Sequence, residues 1–166
     1  MKGSVAQAAA ERVVRLLSER GLTLAVAESC TGGLIGHLLT NVAGSSRCFI
    51  GGVAAYHGRA KTTLLGVTPE TLRAHGSVSA ETALAMARGV RERLETDIGV
   101  GVTGIAGPTG GMAARPVGTV YLALADRGGG ARACHAVWSG SREECKEQSA
   151  RAALDLVLEH LGASEP

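Results

Sequence analysis

Apolar and polar positions change their period several times along the chain, and each change marks an element. Ala9, Val13, Leu16 and Leu17 recur at helical spacing; Ser4 with Gln7 reads as a capping box ahead of them, and Gly21 ends the run. "LTLAVA" (22–27) is a short apolar strand, and after the polar turn Glu28–Gly33 a helix continues through Leu39. "CFIGGVAA" (48–55) is a second strand, whose paired glycines predict a bulge or a close backbone approach. A polar segment, "YHGRAKTTLLG", leads to Pro69, which opens a brief helix near Glu70–Ala74. Ser79 caps a longer helix with Leu84, Ala87, Val90 and Leu94 on one face. "DIGVGVTG" (97–104) is a third strand, and 117–125 and 131–138 form a hairpin joined through Gly128–Gly130. Ser141 and Glu144 make another capping box for a last helix, whose inner face reads Ala150, Leu154, Val157 and Leu161.

Strands that alternate with helices imply parallel pairing, and the terminal hairpin adds an antiparallel part. The expected fold is α/β: a three-layer α/β/α sandwich with a mixed, mostly parallel sheet, forming one domain over residues 1–166. Composition adds a constraint on the core. Apolar residues make up 45% of the chain, yet the aromatics are only Phe49, Tyr56, Tyr121 and Trp138, so Ala, Val, Leu and Ile must fill the interior.

Charge and punctuation exclude several classes of function. The net charge of +2 is scattered, whereas nucleic acid calls for a clustered basic face, so no nucleic-acid partner is expected. Gln7, Glu11, Arg12 and Arg15 interrupt the amino-terminal apolar stretch, which is therefore no signal-peptide core, and no apolar run reaches membrane-spanning length. A cytoplasmic protein without membrane association is expected. Cys30, Cys48, Cys134 and Cys145 form no CxxC pair and no zinc-like Cys/His spacing, so neither a disulfide frame nor a metal site is expected. Lys2, Lys61 and Lys146 are the only lysines in a chain that otherwise uses arginine, which draws attention to those three amines.

Ligands of open α/β sheets collect at the carboxyl ends of the strands. Three such ends are unusually polar or glycine-rich: Glu28–Gly33, Tyr56–Lys61 and Thr103–Gly111. Parallel strands would bring all three to one rim. In the first, Gly32 and Gly33 let the backbone approach a ligand, and the free N–H groups of the following helix favour a phosphate or oxyanion. The segment is neither a dinucleotide fingerprint nor a P-loop nor a G-x-S-x-G elbow. Ordinary capping by Ser29 and Thr31 is the structural alternative. In the second segment, Lys61 lies among Ala60, Thr62, Leu64 and Leu65, a setting compatible with burial; a desolvated, neutral lysine can activate a serine. Tyr56 can relay a proton or hold a substrate. Thr103, Gly104 and the loop "IAGPTGGMAARPVG", too long for an ordinary connection, can offer donors to a phosphate, with Arg115 and Arg142 adding charge. Cys30 is a rival nucleophile, for which a histidine partner would have to be His57 or His135.

"AESCTGGLIGHLLTNVAGSS", "FIGGVAAY", "GSVSAETA", "VTGIAGPTGG" and "PVGTVY", in that order, resemble the C-terminal domain family of the competence/damage-inducible protein CinA. The likeness runs from about Ala6 to Leu161. That family includes stand-alone nicotinamide mononucleotide amidohydrolases (PncC), and the resemblance implies hydrolysis of the nicotinamide carboxamide to nicotinate mononucleotide and ammonia, with no cofactor. By the same resemblance Ser29 matches the nucleophile, Lys61 its paired lysine and Tyr56 the tyrosine that opens the segment. Cys30, Thr31, Gly32, Gly33, Thr103, Gly104 and Arg142 match positions that bind the substrate or frame its pocket, and a homodimer is implied. The chain departs from the family pattern at His57-Gly58, commonly Ser-Asn, at Met112-Ala113 in the glycine-rich loop, and at Ser141, often aspartate. Two other readings stand beside the amidohydrolase: a non-catalytic nucleotide-binding or interaction module linked to competence or DNA damage, and a hydrolase using Cys30.

Overall fold

Ser4 accepts the Gln7 N–H through its hydroxyl and starts helix α1, Val5–Arg20, in the computed structural model, which describes residues 4–163. The expected capping box is only half formed. The Gln7 amide turns away to donate to the Leu38 carbonyl, because the next helix lies against it. Gly21, in the left-handed region, closes α1.

Strand β1, Leu24–Glu28, is followed by helix α2, Leu34–Thr40, a 3-10 turn at Ser45–Arg47 and strand β2, Phe49–Ala54. The polar segment after β2 is itself helical: α3, Gly58–Leu65. Helices α4, Pro69–His75, and α5, Ala80–Arg93, lead to strands β3, Ile98–Gly104, β4, Thr119–Asp126, and β5, Ala131–Val137. Helix α6, Arg142–His160, starts on a complete capping box between Ser141 and Glu144.

The sheet order is β2-β1-β3-β4-β5. β1 pairs in parallel with β2 and β3, β4 runs antiparallel to β3, and β5 antiparallel to β4, so β4 alone opposes the other four. Both expectations for the β2 glycines hold. Leu24 pairs with Phe49 but Ala25 with Gly51, which leaves Ile50 as a bulge, and a Cβ on Gly52 would meet Val26 Cγ2 at 2.9 Å.

The two faces of the sheet differ in residue size. Leu24, Val26, Ile98, Val100, Val102, Val120, Leu122 and Leu124 point to one side, where α1, α2 and α6 cover them. The other side shows Ala25, Ala27, Gly99, Gly101, Ala123 and Ala125, and α5 lies on it with α3 behind. A side chain on Gly99 or Gly101 would run into the Ala87 or Ala83 carbonyl, so α5 rests directly on β3. This close approach turns the helix. Its buried face is Ala83, Met86, Ala87 and Val90; the expected stripe is displaced, with Leu84 and Leu94 half-buried at its margins.

Gly89 makes the same contact on the other side of α5, where a Cβ would overlap the Leu65 carbonyl of α3. Replacing a helical glycine by alanine ordinarily gains about 0.5–1 kcal/mol. Here overpacking reverses the sign, and Gly89→Ala is expected to cost about 1–3 kcal/mol. A urea unfolding midpoint below that of the parent is the expected result; a raised midpoint would show that α3 and α5 are not in contact.

Candidate active site

The site begins with Glu28, the last residue of β1 and 2% exposed. The first N–H groups of any helix lack intrahelical partners, and in α2 this carboxylate takes them. Glu28 Oε2 accepts from Thr31 Oγ1 at 2.6 Å and from the N–H groups of Gly33 and Ile35 at 3.1 Å each; Oε1 accepts from the Gly36 N–H at 2.9 Å. Gly32 and Gly33, at φ 61° and 98°, let the chain double back tightly enough to do so. The expectation that these helix N–H groups are open to a phosphate is therefore corrected: the protein supplies its own anion. Thr31, fully buried, and the Gly33 N–H serve Glu28. The N–H groups of Cys30 and Thr31 make no backbone hydrogen bond among the described residues, which leaves two donors beside Ser29.

Ser29 is anchored on β3 by its N–H, which donates to the Val102 carbonyl at 2.9 Å. Across the rim, His57 starts α3 by accepting the Arg59 N–H at Nδ1. Histidine thus does the capping for which serine is the commoner choice. One turn into α3, Lys61 reaches back under the sheet end and donates from Nζ to Ser29 Oγ at 2.9 Å and to the Tyr56 carbonyl at 3.3 Å. The Ser29 hydroxyl is 3.4 Å from the same carbonyl. Lys61 is 2% exposed, the largest fully buried side chain in the protein's described part. No carboxylate pairs with it among the described residues, and desolvation lowers its pKa from the ordinary value of 10.5.

Cys30 has the opposite character. Burial pushes its thiol up to about 11, far from the depressed values of reactive cysteines. Tyr56 is 64% exposed and meets the Ser29–Lys61 pair through its carbonyl; its hydroxyl accepts from Arg142 Nη2 at 2.9 Å, so it does not reach the lysine as a proton relay. Arg142, in the first turn of α6, also donates from Nη1 to the Gly107 carbonyl at 2.7 Å and so ties the glycine-rich loop to the rim. The parallel register of β1 with β2 and β3 brings the three polar strand ends together, with Glu28 opposite both Ala54 and Val102.

Other candidates have internal duties. The buried Thr103 hydroxyl donates to the Ser77 carbonyl at 2.7 Å, so it is not free for a phosphate. Gly104 is where β4 crowds β3: a Cβ there would lie 2.6 Å from Val120 Cγ2 and 2.7 Å from the Thr119 carbonyl oxygen. Arg115 donates to the His75 carbonyl at the end of α4. Ser141 caps α6 by accepting the Glu144 N–H through its hydroxyl, a task serine and aspartate share. Among the described residues no group of three or more His, Cys, Asp or Glu side chains is placed to hold a metal, and no helix is long and apolar enough to cross a membrane.

Sequence reasoning missed the role of Glu28, for which an acidic residue closing an otherwise apolar strand, just before the turn that carries the glycine pair, was the available signal.

A serine held against a buried lysine at the carboxyl rim of an α/β sheet defines the class of site, and comparison with known proteins supplies the family. A sequence model of the CinA C-terminal domain matches residues 6–161. A CinA-like protein of Gemmatimonas aurantiaca is 54% identical over 143 residues, covering 84% of this chain and 33% of that protein. Another, of Geobacter sulfurreducens, is 50% identical over 149 residues, covering 90% of this chain and 36% of that protein. Among solved structures, the competence/damage inducible protein CihA of Agrobacterium tumefaciens superposes with a TM-score of 0.93 at 40% identity, covering 98% of each chain. A CinA superfamily protein of Klebsiella pneumoniae gives 0.91 at 33% identity, covering 95% of this chain and 98% of that one. The chain belongs to the CinA C-terminal domain family. It spans about a third of the length of the curated relatives it matches.

The lowered Lys61 pKa has a consequence for stability. Between its folded value and 10.5 the unfolded chain binds more protons at this residue than the folded one, so stability rises with pH through that window. Below the window the full cost of burying the amine is present. Lys61→Met removes that cost. It is expected to raise Tm at neutral pH, by an increment that shrinks as pH climbs towards 10.5. Thermal unfolding followed by circular dichroism across that range checks it, and an increment independent of pH would mean that Lys61 titrates normally.

Proposed function

We propose that the chain is an amidohydrolase that converts nicotinamide mononucleotide to nicotinate mononucleotide and ammonia, with Ser29 as nucleophile and Lys61 as base. The observation that carries the reading is the 2.9 Å contact between Ser29 Oγ and a buried lysine Nζ that has no carboxylate partner among the described residues. A solvated lysine would be protonated and useless as a base; desolvation shifts Lys61 towards the neutral amine that a base needs.

Neutral Lys61 takes the Ser29 hydroxyl proton as Oγ bonds to the carboxamide carbon. The carbonyl electron pair moves to oxygen, where the N–H groups of Cys30 and Thr31 are the available donors; one well-placed donor of this kind is worth about 3–4 kcal/mol. As the carbon–nitrogen bond breaks, protonated Lys61 returns its proton to the departing nitrogen, releasing ammonia and leaving an acyl-serine. Water then attacks the acyl carbon and gives a proton to Lys61, which passes it to Ser29 Oγ as nicotinate mononucleotide leaves. Tyr56 and Arg142, joined at 2.9 Å, stand at the mouth as a platform and an anion-attracting edge for the nucleotide.

Ammonia release from nicotinamide mononucleotide by the purified protein tests the reading. Ser29→Ala and Lys61→Ala are each expected to lower kcat at least about a hundredfold, the lower range for loss of a positioned base, with circular dichroism unchanged. Cys30→Ala is expected to retain activity, and kcat/KM should rise with pH along a limb whose midpoint lies below 10.5. A folded parent that binds the mononucleotide without turnover would favour the binding-module reading. Activity lost in Cys30→Ala but kept in Ser29→Ala would favour the cysteine hydrolase.

A further inference from the structure

Lys61 is held by the start of its own helix. Its backbone N–H donates to the His57 carbonyl at 3.2 Å, and its side chain folds back so that Nζ donates to the carbonyl of Tyr56, the residue just before the cap, at 3.3 Å. A neutral amine has two N–H bonds and one lone pair. With one N–H engaged on the Tyr56 carbonyl, the lone pair can face Ser29 Oγ at 2.9 Å, as a base requires. The same carbonyl lies 3.4 Å from Ser29 Oγ, so one main-chain oxygen borders both members of the pair.

That carbonyl is fixed by the residue that follows it. His57, at φ −90° and ψ 152°, caps α3 by accepting the Arg59 N–H at Nδ1, 3.1 Å away. A ring nitrogen that accepts carries no proton, so the cap is uncharged. Its charge matters because the amine stands at the amino-terminal end of α3, where the helix dipole is positive and disfavours a cation. Aspartate, a preferred cap, would put a negative charge there and favour the ammonium instead. The other ionisable groups bordering the pair do not take that role. Burial pushes the Cys30 thiol up to about 11, so it stays protonated, and Glu28 is filled by four donors. Arg142 of α6 and Arg59 of α3 are cations, and α4 faces the start of α3 with Leu72.

We infer that His57 is a positioning residue of the Ser29–Lys61 pair: as an uncharged cap it holds the start of α3, and with it the Tyr56 carbonyl that aims the Lys61 amine at Ser29. The inference rests on the amidohydrolase reading for its kinetic consequence, whereas its effect on the amine is measurable without turnover.

The test uses the full chain with His57→Asp, His57→Asn and His57→Ala. Aspartate and asparagine both cap well, so neither variant should unfold at a lower Tm than the parent. In the kinetic arm, kcat/KM for nicotinamide mononucleotide is followed with pH. His57→Asp should move the rising limb upward by about one pH unit, which lowers kcat/KM about tenfold on that limb, and His57→Asn should leave the limb in place. His57→Ala, which has no cap, should lower kcat, and His57→Asn should restore it. In the NMR arm, the Cε resonance of isotopically labelled Lys61 should titrate at higher pH in His57→Asp than in the parent or His57→Asn. A parent without turnover whose Lys61 titration still moves in His57→Asp would refute the amidohydrolase reading and keep the role of His57. An unmoved Lys61 titration in folded His57→Asp, or an equal loss of kcat in His57→Ala and His57→Asn, would overturn it.

Discussion

The carboxylate of Glu28 is the constraint on which the site is built. A buried charge is tolerated only when its lone pairs are filled, and here the Thr31 hydroxyl and three backbone N–H groups do so at 2.6 to 3.1 Å. The same contacts satisfy the orphan donors at the start of α2 and clamp the two-glycine turn against the end of β1. Ser29 is the residue next to the clamp, and its own N–H is fixed to β3. Its hydroxyl therefore stands on a turn that two strands and a helix hold from different sides. A catalytic group needs such support, because a loose nucleophile loses the benefit of its base.

The second requirement is a dry place for an amine, and the asymmetry of the sheet provides it. Alanines and glycines on one face allow α5 to settle on β3, and Gly89 allows α3 to settle on α5 in turn. Packed this way, α3 buries its Lys61 stem and brings the Nζ to Ser29 Oγ and the Tyr56 carbonyl. Small residues on a distant helix face thus set the environment of the Lys61 amine. The large residues are kept for the opposite face, where α1, α2 and α6 need a thick apolar layer.

Features governed by local chemistry were legible in the sequence. The capping box of Ser141 and Glu144, the glycine-induced bulge in β2 and the parallel strands with a terminal hairpin follow from short patterns. Features set by what packs across were not. The Leu84–Leu94 stripe misjudged the buried face of α5 because the partner surface is glycine, which rewards the smallest side chains. Gln7 has the right spacing for a capping box, but its side chain turns to donate to the Leu38 carbonyl of a neighbouring helix instead of accepting from the N-cap backbone. Thr103 looks like a ligand donor until its hydroxyl is found on the Ser77 carbonyl. The residues of the candidate dyad could be named from family likeness, but the burial of Lys61 and the role of Glu28 are tertiary facts that no local pattern carries.

The claim on which the account turns is that burial shifts Lys61 towards its neutral form, and the scarcity of lysine makes it directly measurable. With only Lys2, Lys61 and Lys146 in the chain, the side-chain Cε resonances of isotopically labelled lysine can be followed individually through a pH titration by NMR. One resonance should titrate below 10.5, and it should vanish in Lys61→Met. If the resonance lost in Lys61→Met titrates at 10.5, Lys61 is an ordinary ammonium in the folded protein and the serine–lysine mechanism is wrong.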